Sequence, residues 1–218
     1  DAAHASGVNV ALDNTYAAGV MFDAFAHGVD ISMQALTKYV GGHSDLLLGT
    51  VSARDAAVVE KLGPIYQQLG LAVSPDDCSL ALRGLQTLAL RLDTLEKSAL
   101  TIAHWLTEQP LVDRVLHPAM ASCPGHDLWV RDFTGSTSVF SFVFDNHIDS
   151  EQVISFINNL QIFRIGMSWG GVNSLAVVYP ELIRPNQDFA GRIVRLNIGL
   201  EAVDDLISDL EQAFRTMA

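Results

Sequence analysis

Hydrophobic positions at the start of this chain come in short runs that end in polar residues. Val8 to Leu12 is such a run; it stops at Asp13, with Asn14 and Thr15 behind it, and predicts a buried strand. Val20 to His27 predicts a short helix closed by Gly28. Val29, Ile31, Met33 and Ala35 then alternate with Asp30, Ser32 and Gln34, the period-two signature of a second strand that runs into Thr37 and Lys38. Gly41-Gly42-His43-Ser44-Asp45 predicts a turn, and Leu46 to Val51 a third strand. Strand, helix and strand in so short a span predict a parallel pair with a right-handed crossover, and the third strand is expected to extend that parallel sheet. Such a sheet is normally covered on both faces, which one short helix cannot do. The cover is expected from another chain or, the preferred reading, from residues preceding Asp1.

Farther along, Ser74-Pro75 has the form of a helix cap with proline at the first helical position. Leu80, Leu85, Leu88, Leu92 and Leu95 carry helical spacing beyond it, so one long helix is expected to run to Pro110. An α+β pattern follows. Val112 to Leu116 predicts a strand, Cys123 to Gly125 an irregular stretch, and Val139 to Phe144 a strand with Phe140, Phe142 and Phe144 on its core face. A helix is expected from about Ser150 to Leu160, then further strands, then a last helix from about Val203 to Arg215. The boundary between two lobes is placed near the middle of the long helix, giving residues 1–90 and 91–218.

Composition narrows the function classes. Of 218 residues, 49% are apolar and 17% charged, which fits a well-buried folded protein and excludes disorder. No apolar stretch approaches the roughly 20 residues of a membrane helix. The formal charge is −12 and the 13 basic residues are scattered, a surface that would repel nucleic acid and anionic membranes. Cys78 and Cys123 have neither metal-ligand nor disulfide spacing, and a reducing cytoplasm is the expected location. The seven histidines lack paired zinc spacing, so no metal is expected.

Candidate chemistry begins with Asp13 and Lys38, both at the carboxyl ends of predicted parallel strands, where open α/β sheets bind ligands. Singly, the aspartate could cap the next turn and the lysine could be solvated. Together they suit a pyridine cofactor: a carboxylate keeps the ring nitrogen protonated, and a lysine amine can take up the aldehyde. Asp204 and Asp205, by contrast, start the last helix, where acidic side chains meet the helix dipole. His43 is expected to stabilise its turn, Arg83 to contact a neighbouring element or solvent, and neither cysteine to act as a nucleophile.

Leu12-Asp13-Asn14-Thr15 and Thr37-Lys38-Tyr39-Val40-Gly41-Gly42-His43-Ser44-Asp45 resemble the cofactor segment of the Cys/Met-metabolism family of pyridoxal-phosphate enzymes. The resemblance continues through Leu82-Arg83-Gly84-Leu85-Gln86-Thr87-Leu88, Phe133-Thr134-Gly135 and Ser168-Trp169-Gly170-Gly171 to Val194-Arg195-Leu196-Asn197-Ile198-Gly199-Leu200-Glu201, in order and over essentially the whole chain. It implies an α/β chain. Residues 1–90 would end a large domain of the aspartate aminotransferase type I fold, and residues 91–218 would form an α+β C-terminal domain.

The resemblance also implies roles. Lys38 would bind the cofactor and move protons, Asp13 would face the pyridine nitrogen, Thr37 would donate to the phosphate, and Arg195 would grip the substrate α-carboxylate. Ser168 would line the same pocket and serve catalysis by positioning the lysine or substrate, with Trp169 beside it on the substrate side. Trp169, and Gln34-Ala35-Leu36 before Thr37, are similar to the branch that β-eliminates L-cystathionine to homocysteine, pyruvate and ammonia in methionine biosynthesis. A core or dimer-interface place for Trp169 is the alternative. Many relatives have Ser where this chain has Ala35, so one phosphate donor is absent. The family's Gly-rich phosphate turn, its stacking aromatic ring and the Tyr and Arg borrowed from a neighbour all lie upstream of the segment resembling Asp13. The chain would thus carry about half of an active site, completed in a homotetramer built as a dimer of dimers. Rival readings are a γ-acting relative, a broad cysteine-S-conjugate lyase, or a non-catalytic fragment or interaction module.

Overall fold

The structure is a computed structural model that describes residues 2–179, 182–184 and 187–217. It divides into two compact units, Asp1–Leu88 and Ala89–Ala218.

The first unit opens with α1 (Ala2–Ala5), followed by β1 (Ala11–Asp13), β2 (Ile31–Ala35) and β3 (Gly49–Ala53) in one sheet, in that order. β1 and β2 are parallel, with Asp13 opposite Met33. Two expectations need correction here. Residues 20–27 form hydrogen-bonded turns, not a helix. Side chains bind its backbone in place of the helical ladder: Asp23 accepts the Ala26 N–H, and Asn14 donates to the Phe22 carbonyl. β3 runs antiparallel to β2, not parallel, because Leu36 to Leu48 folds into turns that reverse the chain.

α2 (Ala56–Gln68), capped by Asp55, escaped the sequence reading. Val59, Leu62, Ile65 and Tyr66 recur there at helical spacing, a signal the sequence reading passed over, and all four side chains are exposed. α3 (Pro75–Gln86) starts as expected, with the Ser74 hydroxyl accepting the Asp77 N–H. The long helix is broken: α4 spans Leu88–Thr107. At Thr87 both the backbone N–H and the hydroxyl turn back to the Gly84 carbonyl, competing with the regular helical ladder.

The second unit contains α4 from Ala89 onward, β4 (Val112–Leu116), α5 (His126–Asp132), β5 (Val139–Phe144), α6 (Ser150–Asn159), β6 (Arg164–Ile165), β7 (Leu175–Val178), β8 (Ile183–Arg184), β9 (Gln187–Asp188), β10 (Ile193–Asn197) and α7 (Val203–Arg215). The five-stranded sheet has the order β4-β5-β10-β7-β6, antiparallel except for the parallel β6–β7 pair; β8 and β9 pair separately. α5, which the sequence reading missed, follows the irregular stretch at Cys123 to Gly125, with Gly125 at φ +82° as its N-cap.

The core lies on one face of this sheet. Phe140, Phe142 and Phe144 of β5 and Val194 and Leu196 of β10 pack with Ile102 and Leu106 of α4, Phe156 of α6, and Leu206, Leu210 and Phe214 of α7. Phe156 and Phe214 sit with ring centroids 4.8 Å apart, and Phe144 meets Phe156 edge-on at 5.2 Å. Each such side chain contributes about 1.5–3 kcal/mol by burial. Because side chains alternate along a strand, Arg195 and Asn197 point away from that core. Asp209 is the polar exception within it: 4% exposed, it accepts the N–H groups of Gln161, Ile162 and Phe163 at 2.8–3.0 Å and ties α7 to the chain leaving α6.

Candidate active site

Parallel pairing puts the carboxyl ends of β1 and β2 side by side, with Asp13 ending the first and Lys38 following the second. The two buried residues after Asp13 fasten this end. Asn14 donates its N–H to the Met33 carbonyl at 2.8 Å, and the Thr15 hydroxyl accepts the Ala35 N–H at 2.8 Å. Asp13 is exposed; its Oδ1 accepts the Thr15 N–H at 2.9 Å, which orients the carboxylate and leaves Oδ2 for another donor.

Lys38 is half-buried inside a compact turn. Its N–H donates to Ala35, its carbonyl accepts from Gly42 at 2.8 Å, and Gly41 donates to Leu36 at 2.7 Å. The Thr37 hydroxyl accepts the Leu48 N–H at 3.1 Å and lies 3.2 Å from the Leu48 carbonyl. Its proton rotates about the C–O bond, so a phosphate oxygen can compete for it. His43 Nδ1 meets the Gly41 carbonyl at 2.7 Å, a bond that requires the proton on Nδ1 and braces the turn.

Gly84 of α3 presses on the same turn: a Cβ there would collide with the carbonyl oxygens of Val40 and Gly41. Arg83 reaches Asp45 at 3.6 Å, an exposed pair of small energetic weight.

A second cluster lies in the other unit. Arg195 projects from β10, and its Nη2 donates to the carbonyls of Met167 at 2.6 Å and Ser168 at 3.2 Å. The guanidinium carbon lies 5.7 Å from the Tyr179 ring centroid. Its Nε is buried without a hydrogen-bond partner among the described residues, and an unmet donor on a guanidinium suits an incoming carboxylate. Ser168 is exposed, and Trp169 is half-buried.

Two further side chains hold this loop and escaped sequence reasoning. Asn197, 1% exposed, accepts the Gly170 N–H at 2.8 Å and the Ser138 hydroxyl at 2.9 Å, and donates to the Asn173 carbonyl at 3.0 Å. Glu201 accepts the N–H and hydroxyl of Ser174, both at 2.8 Å, and that hydroxyl accepts the Gly199 N–H. The available signal was polar residues recurring among the apolar ones from Val194 to Glu201.

Asp13, Thr37 and Lys38 thus gather at one sheet end of the first unit, and Ser168, Trp169 and Arg195 at one loop of the second. Burial raises the Cys123 thiol, which disfavours a thiolate. Asp30 is held low by the N–H of Val10 and by His4. Among the described residues no group of three His, Cys, Asp or Glu could hold a metal, and no helix is long and apolar enough to cross a membrane.

Solved structures show the same fold. Cystathionine γ-synthase from Xanthomonas oryzae, solved with aminoacrylate and cysteine, superposes with a TM-score of 0.90 at 32% identity, over 99% of this chain and 57% of that one. Among curated sequences, cystathionine β-lyase of Haemophilus influenzae is 43% identical over 215 residues, covering 96% of this chain and 54% of the relative. The Escherichia coli cystathionine β-lyase is 44% identical over 211 residues, covering 94% and 53%. The chain therefore spans about half the length of the curated relatives it matches. The profile described as Cys/Met metabolism PLP-dependent enzyme matches residues 1–215, and with these motifs and this fold the chain belongs to that family.

Proposed function

We propose that this chain serves a pyridoxal-phosphate-dependent carbon–sulfur lyase that β-eliminates L-cystathionine to homocysteine, pyruvate and ammonia, as a cytoplasmic enzyme of methionine biosynthesis. The observation that carries the reading is the parallel β1–β2 pair, which brings Asp13 and Lys38 to one sheet end. The cystathionine β-lyases at 43–44% identity support the choice of substrate.

The residues present fit the cofactor. Asp13, oriented by Thr15 with Oδ2 available, would accept the pyridinium N–H and hold that proton in place. Thr37 would donate its rotating hydroxyl proton to the phosphate. Bound pyridoxal phosphate supplies an electron sink that makes the substrate Cα–H acidic. Arg195 would take the substrate α-carboxylate with its remaining donors, Nε among them, and so orient the Cα–H bond. Lys38 would remove the Cα proton and return a proton to the departing sulfur, acting as base and then as acid. Ser168 and Trp169 would line the substrate side. Residues 1–90 are assigned to the end of the cofactor-binding large domain and 91–218 to the C-terminal domain, a division supported by the compact units meeting at Leu88 and Ala89. Assembly is assigned as a homotetramer, checked by light scattering.

The γ-synthase likeness favours a second reading, chemistry at Cγ. The purified protein, supplied with pyridoxal phosphate and L-cystathionine, is expected to form pyruvate; 2-oxobutyrate instead would assign γ-elimination. Lys38→Ala should abolish turnover, and wild-type rates in that variant would refute the assignment. A wild-type protein that develops no visible cofactor band would point to a non-catalytic module.

A further inference from the structure

We infer that Asn197 is a positioning residue for substrate, holding the Ser168–Gly171 loop in register with Arg195 through a two-sided amide contact. This rests on the carboxylate-binding role proposed for Arg195.

Asn197 is buried on β10, between β5 and β7, opposite Val139 on one side and Leu175 on the other. Its amide is read at both ends. Oδ1 accepts the Gly170 N–H, and Nδ2 donates to the Asn173 carbonyl. A carboxylate could not make the second bond, and an alkyl group could make neither. The Gly170 N–H can only donate and the Asn173 carbonyl can only accept, which fixes the way the amide faces; the Ser138 hydroxyl adds a second bond to Oδ1 at 2.9 Å. Gly170 itself has φ +80°, a left-handed conformation that glycine adopts without strain, and its N–H lies 2.8 Å from Asn197 Oδ1.

Arg195 lies two residues earlier on the same strand and face. It depends on the same loop, because its Nη2 is anchored by the carbonyls of Met167 and Ser168. A loop that slides therefore carries away both Ser168 and the anchors that aim the guanidinium. The far end of the loop is fixed separately by Glu201 on Ser174, so loss of Asn197 frees the middle without unfolding the whole segment. Asn197 thus acts on substrate through Arg195 and Ser168, touching neither substrate nor cofactor.

The test uses purified protein loaded with pyridoxal phosphate. Asn197→Ala is expected to raise KM for L-cystathionine between about tenfold and a hundredfold, the scale for displaced positioning groups. The visible cofactor band and its retention on dialysis should stay as in wild type, and kcat should change by much less than KM. Hydrogen exchange across residues 167–174 should speed up in parallel. Ser138→Ala, a milder change that removes one of the two bonds accepted by Oδ1, should shift KM in the same direction by a smaller factor, which keeps the test decisive if Asn197→Ala folds poorly. An unchanged KM in the soluble variants overturns the positioning role, as does a loss confined to kcat. Wild-type protein that binds no amino acid refutes the proposed function and this role with it, whereas wild-type binding matched by the variants refutes this role alone.

Discussion

His117 is fully buried, at 0% exposed, and its surroundings admit only the neutral ring. Nδ1 accepts the Ala119 N–H at 3.2 Å, so the single proton resides on Nε2, which has no hydrogen-bond partner among the described residues. A second proton would point Nδ1–H at the Ala119 N–H, donor against donor. Burial first, then the charge of His104, lower its pKa from 6.5 to about 4.

The sign follows directly. Above about pH 6.5 both folded and unfolded imidazoles are neutral, and His117 contributes no pH dependence. Between 6.5 and about 4 the unfolded chain takes up a proton that the native state refuses, so stability falls as pH falls. The loss grows by about 1.4 kcal/mol per pH unit, reaching about 2 kcal/mol at pH 5 and on the order of 3 kcal/mol below pH 4. His117→Asn separates this effect from the carboxylates, because the asparagine oxygen can replace Nδ1 as acceptor for Ala119 without titrating. At pH 7.5 the variant should be less stable by about 1–2 kcal/mol through lost packing against Phe140, whose ring lies 5.3 Å from His117. Urea denaturation at pH 7.5, 6 and 5 should then show wild type losing about 2 kcal/mol more than the variant over that range. Parallel losses in the two proteins would refute the assignment of a neutral, proton-excluding His117.

Gly84→Ala should destabilise the protein by about 1–3 kcal/mol and weaken cofactor retention, because α3 must back away from the Val40–Gly41 carbonyls that support the Lys38 turn. A melting temperature equal to wild type would count against that packing. Asp209→Asn should lower stability in urea by about 1–3 kcal/mol, since an NH2 group would face N–H groups that the carboxylate now accepts. A neutral effect would mean that those three bonds contribute little. Arg195→Ala should reduce kcat/KM by an amount on the order of 2–5 kcal/mol if it pairs with a desolvated carboxylate, and an unchanged value would remove that role.

The sequence carried the elements whose signals are local. Ser74-Pro75 predicted the start of α3, and the alternating phenylalanines from Val139 to Phe144 predicted both β5 and its buried face. Val203 to Arg215 forms the final helix over the range read from the sequence, with Asp204 and Asp205 in its first turn. Motif order also identified the family, and Asp13 and Lys38 were legible as strand-end residues. Each of these depends on neighbours close in sequence, where periodicity and capping act.

What only the tertiary structure decided depends on groups distant in sequence. The reversal of β3 follows from how Thr37 and Leu48 bond across the Lys38 turn, and the missing helix at 20–27 from Asn14 and Asp23 claiming backbone groups. The break at Thr87 came from a hydroxyl competing for one carbonyl, which spacing of leucines does not reveal. Gly84 reads as an ordinary helical glycine until the carbonyls of Val40 and Gly41 are seen beneath it. Asn197 and Asp209 read as polar interruptions of apolar patterns, yet each satisfies backbone groups far along the chain. Hydrophobic period sets which face of an element is buried; which buried polar groups find partners is a three-dimensional matching problem that the fold alone resolves.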